Sequence, residues 1–145
     1  MAGHTSPNKA IRNAVKILLD GHATITETVY KTVVNPNTPM PYFAIGLINN
    51  NDESNKTSWG DRSTITIHAW SALALADECE DMIDNAKEAL TEDVHFAIAG
   101  FNHAATIVTN QLTFPSVDSF GGSDVNQEAW HGILDVLIIT TGNER

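Results

Sequence analysis

From Arg62 to Trp70 the side chains alternate in character, with Ser63, Ile65, Ile67 and Ala69 at one parity and Thr64, Thr66, His68 and Trp70 at the other. A two-residue repeat is satisfied by an extended strand that buries an aliphatic face and leaves a polar face, aromatic at its end, outside. The period then changes. Ala72, Ala76, Cys79, Ile83, Ala86 and Leu90 advance by three and four residues, which is the stripe of an amphipathic helix, and Ser71 is a suitable cap for it. Upstream, Pro41-Tyr42-Phe43-Ala44-Ile45-Gly46-Leu47-Ile48 is apolar at both parities, as a strand covered on both sides should be, and Pro41 can only begin it. Strand, loop, strand and helix in succession leave the helix stripe one place to go, against the sheet.

A chain of 145 residues suits one domain and hides roughly 70% of its unfolded surface, enough for a core without covalent staples. The single cysteine, Cys79, cannot form an internal disulfide and falls on the helix stripe, so it reads as a small core residue of a protein made in a reducing cytosol. The first seven residues lack the regions of a signal peptide, and no apolar run approaches the ~20 residues of a membrane helix. The formal charge of −10 opposes tight binding to nucleic-acid phosphates or an anionic membrane. That charge is uneven: Lys9, Arg12 and Lys16 precede any acidic residue, whereas residues 77–88 carry six acidic side chains against Lys87. Two solvated helix faces explain this; complementary surfaces that meet between copies are the sharper alternative.

The remaining elements follow from the same periodicities. Ser6-Pro7 starts a helix over about 7–19, with Ile11, Ala14, Val15 and Leu18 as its stripe. A β-prone strand is expected at about 28–33, then a proline-stiffened turn. Further strands are expected at 42–48, 62–70, 104–113 and 132–140, with the second helix at 72–90 and a short strand within 93–99 broken by Gly100. Residues 133–139 are the most apolar run and predict a buried central strand. The fold class is therefore α+β: a single domain over 1–145 with a mostly antiparallel β-sheet flanked by two helices.

Little in the chain points to catalysis. His4, His22, His68, His95, His103 and His131 have neither paired helical spacing nor cysteine companions, so no metal or other cofactor is expected. Gly121-Gly122 lacks the spacing and following Lys of a phosphate loop. The chain is read as not an enzyme; the alternative is a small enzyme or ligand-binding domain using His68, Trp70 or His131. Two polar stretches exceed what connections need. Residues 49–61 read as an arm with Trp59 and Arg62 near its return, and residues 115–130 as a contact loop holding Phe120 and Trp130. These four side chains are the expected anchors of an interface, with other copies or with another protein, because aromatic and guanidinium groups anchor interfaces.

The order of these features resembles the tail-completion, or tail-terminator, proteins of long-tailed bacteriophages and gene-transfer particles. An N-terminal helix leads to Val29-Tyr30, then to Pro39-Met40-Pro41-Tyr42-Phe43-Ala44-Ile45-Gly46, which is similar to the family's proline-rich turn into a strand. Thr64-Ile65-Thr66-Ile67-His68-Ala69-Trp70-Ser71 resembles its strand ending in Trp-Ser, and His131-Gly132-Ile133-Leu134-Asp135-Val136 its closing strand. The resemblance implies a ring-forming subunit of the virion, made in the host cytoplasm, that assembles usually as a hexamer. Such a ring caps the tail-tube protein, meets the head-neck stopper or connector, and lets DNA pass through its bore without sequence-specific binding.

Overall fold

The computed structural model describes residues 7–32, 39–52, 58–72, 76–92, 96–119 and 126–144, and the statements below concern these residues. Helix α1 (Asn8–Gly21) is followed by strands β1 (Thr28–Tyr30), β2 (Tyr42–Asp52) and β3 (Ser58–Ala72), helix α2 (Ala76–Thr91), and strands β4 (Asn102–Ser119) and β5 (Asn126–Glu144). The strands form one sheet in the order β1-β2-β3-β5-β4. Only β1 and β2 are parallel; the other three pairings are antiparallel. This is the α+β, mostly antiparallel architecture with two helices that the periodicities predict.

Both helices lie on one face. The alternation in β3 sets that face: Ser63, Ile65, Ile67 and Ala69 are buried and the residues between them only half so. Register carries the same parity into β5, where Leu134 pairs with Ile67 and Val136 with Ile65. Ile11, Val15 and Leu19 of α1 and Cys79, Met82, Ile83, Ala86 and Leu90 of α2 complete one continuous core with them. Gly132 lets α2 approach β5 closely, because a β-carbon there would come within 2.4 Å of Ile83 Cγ1. Gln111 Nε2 donates to Asp84 Oδ1 at 2.7 Å and ties α2 to β4.

Several expectations are corrected. Ala72 ends β3 instead of opening a helix, and α2 begins at Ala76. Ser71 accordingly does not cap α2; it is a buried strand residue whose hydroxyl donates to Glu78 Oε1 at 2.5 Å. The Ser6 cap lies outside the described residues, and the N-cap position of α1 is taken by Pro7, whose carbonyl accepts from the Ile11 N–H. Among the described residues the strand sought within 93–99 reduces to one bridge, Ile98 to Phe101, around Gly100 at φ +80°. β1 is shorter than expected, ending at Tyr30. Residues 133–139 form a central strand buried on one face only, since Ile133, Asp135, Leu137 and Ile139 are half-buried on the other.

The largest correction concerns the two polar stretches. Residues 49–52 pair with residues 61–64, and residues 115–119 pair with 126–130, so most of each stretch is sheet. A ladder between polar strands still pairs the backbone donors and acceptors that face the partner strand, which neither composition nor hydrophobic period records.

Candidate assembly surface

The face of the sheet away from the helices is built in rows across β3, β5 and β4. Register aligns Trp70, His131 and Phe114; then His68, Ile133 and Leu112; then Thr66, Asp135 and Asn110; then Thr64, Leu137 and Ile107; then Arg62, Ile139 and Ala105. Paired residues share a face, so these side chains stand together. Among the described residues no helix covers them. Ile107 and Leu112 are 47% and 40% exposed, and Ile133, Leu137 and Ile139 are half-buried beside them.

One end of this face is aromatic. His131 stacks on Trp70 with ring centroids 3.8 Å apart and planes 9° from parallel, and Phe114 leans on the same imidazole at 5.0 Å. His68 Nδ1 faces His131 Nε2 at 2.8 Å, so the two imidazoles share one proton between them. Gly46 makes room on β2: a β-carbon there would lie 2.7 Å from His68 Nε2. Burial lowers the His68 pKa below its ordinary 6.5, and the neighbouring Asp135 carboxylate opposes that shift. Asp135 itself accepts hydrogen bonds from the Thr66 hydroxyl at 2.6 Å and the Asn110 amide at 3.3 Å. The three residues of the ligand-site alternative, His68, Trp70 and His131, are thus brought together, with the facing nitrogens of the two imidazoles engaged with each other.

The expected contact residues are spread over the molecule. Arg62 is half-buried on the open face, across from Asn51 and Ile139. Trp59 stands in the first residues of β3, and its side chain is outside the described set. Phe120 also lies outside the described residues. Trp130 is half-buried, pairs with Ser71 and Pro115, and packs against the hydrophobic core on the helix side. The hairpins that carry these residues leave the sheet at opposite ends. The β2–β3 connection is at the end where Gly60 meets Thr141, and the β4–β5 connection beyond the end where Ala72 meets Ala129.

A further cluster escaped the sequence reading. His22, which follows α1, places Nε2 3.2 Å from Glu92 Oε2 and 3.9 Å from Glu88 Oε1 at the end of α2. Glu88 and Glu92 are one helical turn apart and so share a face, a spacing visible in the chain. The approach of His22 depends on how the two helices pack, which no local pattern encodes.

No protein-family profile and no curated protein matches the chain. Among solved structures, a chain of the "Virion of native gene transfer agent (GTA) particle" has a similar fold, with a TM-score of 0.58 and 15% sequence identity, over 98% of this chain and 100% of that one.

Proposed function

We propose that this chain is a structural protein of a virion or virion-like particle, a ring-forming subunit that caps the tail tube and joins it to the head. The observation that carries the reading is the fold likeness to a chain of a gene transfer agent virion, which extends over nearly all of both chains. The order of the sequence motifs, from the N-terminal helix to the closing strand, narrows it to the tail end.

The molecule offers what such a role needs. A closed ring is built from a heterologous contact, in which two different surfaces of each subunit meet. Here two hairpins leave opposite ends of one sheet, and the uncovered face between them is rich in aliphatic and aromatic groups. A stable contact buries about 800 Å² on each partner, with aromatic and Arg anchors at its centre. Trp59 and Arg62 at one end, Trp130 at the other, and Phe120, which lies outside the described residues, are the proposed anchors toward neighbouring copies or the tail tube. Binding is shape and surface complementarity; no reaction is required.

Deleting the gene in a strain that makes the particles tests this reading. The expected products are DNA-filled heads and separate tails, restored to joined particles by the wild-type gene in trans. Joined, infectious or transfer-competent particles without the gene would overturn it. The ligand-site alternative rests on the stacking of His68, Trp70 and His131, and predicts instead that joining survives the deletion.

A further inference from the structure

We infer that His22, Glu88 and Glu92 form a binding site for a divalent transition-metal cation, zinc by preference, which clips the C-terminal ends of α1 and α2 together. One ligand atom from each residue lies within 4.8 Å of the other two. Around a tetrahedral zinc with bonds of about 2.0–2.1 Å, neighbouring ligand atoms stand about 3.3 Å apart. The Nε2 to carboxylate distances of 3.2 and 3.9 Å lie on either side of that value, so a small rotation of Glu88 completes three corners. Water supplies the fourth.

The imidazole is prepared for the role. Its side chain is only 11% exposed, so packing fixes the ring, while both glutamates are more than half exposed and can close on an incoming ion. The other ring nitrogen, Nδ1, is 2.7 Å from the Thr24 hydroxyl. The Thr24 N–H also points at Nδ1, at 3.4 Å; in the ligating tautomer Nδ1–H donates instead to the Thr24 hydroxyl, which gives up that long contact and frees the Nε2 lone pair for the metal.

Without a cation, only the His22 ring offsets the proximity of two carboxylates. Glu88 and Glu92 repel one another across one helical turn, and they do so at the negative end of the α2 dipole, where the last turn has no basic residue. A divalent ion removes both costs at once. One imidazole with two carboxylates suits zinc and its first-row neighbours, whereas calcium would need six to eight oxygen ligands. Because His22 follows α1 and the glutamates end α2, occupancy cross-links two helices that otherwise meet through apolar contacts.

The test is thermal unfolding of the whole chain after exhaustive dialysis against EDTA, repeated with added Zn²⁺ and with Mg²⁺. At a hundredfold excess of Zn²⁺ over its Kd the Tm should rise by roughly 5–10 °C, and Mg²⁺ should not reproduce the rise. Co²⁺ in place of zinc should give the visible absorption of a four- or five-coordinate site. His22→Ala should abolish the zinc response, leaving the backbone cap of α1 intact. The double variant Glu88→Gln/Glu92→Gln should abolish it too, yet should melt slightly above the metal-free wild type, because it removes the repulsion. No zinc response in the wild type up to millimolar metal, or a response retained in either variant, would overturn the site.

Discussion

Gly132 faces Ile83 where α2 packs on β5, and the pair shows how a single residue can set the distance between layers. Gly132→Ala pushes a methyl to 2.4 Å from Ile83 Cγ1 and 3.2 Å from Cys79 Sγ, so it should cost about 1–3 kcal/mol by overpacking. Ile67→Ala and Ile83→Ala, both at fully buried positions, should each cost about 2–5 kcal/mol in lost transfer energy and cavity. The Gly132→Ala penalty should shrink in the Ile83→Ala background, since the two side chains compete for one space. Urea titrations of the four variants measure all of this; additive effects of the pair would show that Gly132 does not limit the approach. The His68 pKa leads to a pH prediction. A histidine whose pKa is lower when folded resists protonation more than the unfolded chain does. Its contribution to stability is therefore present above pH 6.5 and falls as the pH drops through 6.5 toward the folded value. Wild type should lose more stability than His68→Gln between pH 7.5 and 5, read from urea midpoints at each pH; equal losses would remove the His68–His131 pair from the acid response. These positions were partly legible. The parity of Ile67 and the stripe of Ile83 follow from spacing alone, whereas the proximity of His68 to His131 requires the register of β3 on β5.

At the scale of elements, the hairpins changed most between sequence and structure. Periodicity finds an element where one face is apolar, and residues 49–52 and 115–119 have no such face, so their pairing was invisible although their neighbours' was not. The same blindness mistook Ser71 and Ala72 for a helix start: both are helix-compatible and stand directly before a helical stripe, yet they pair with Trp130 and Ala129. Removing residues 50–60 would therefore cut into the fold. It takes away the pairs Asn50 to Ser63, Asn51 to Arg62 and Gly60 to Thr141, along with the Asn50 to Ser63 side-chain hydrogen bond. A variant lacking those eleven residues should melt measurably lower than wild type. One in which only residues 53–57 are replaced by Asn-Gly should keep its Tm within a few degrees, because closure entropy depends weakly on loop length. If that shorter change also leaves head joining intact, the tip of this hairpin has no part in assembly.

For the whole molecule, charge and size decide what a ring could do with DNA. A compact chain of this length has a radius of gyration of roughly 15 Å, so six copies would enclose a bore about 38 Å wide before loops intrude. At −10 per subunit the assembly should not hold a duplex. Fluorescence anisotropy of a labelled duplex at low salt should stay flat up to tens of micromolar protein; tight, salt-sensitive binding would require a basic lining. The fold class and the buried face were legible because one hydrophobic period repeats through each core element. The open sheet face was not, because it is composed of register: residues as distant in sequence as Arg62, Ala105 and Ile139 meet only when the strand order is known. The direct measurement of the central claim is a cryo-EM map of the neck of particles from a strain that encodes this chain. A closed ring of this fold between the last tail-tube ring and the head, with adjacent copies meeting through the hairpin ends and the open sheet face, is the predicted result. Its absence from the neck, or its presence as a single copy elsewhere in the particle, would contradict the assignment.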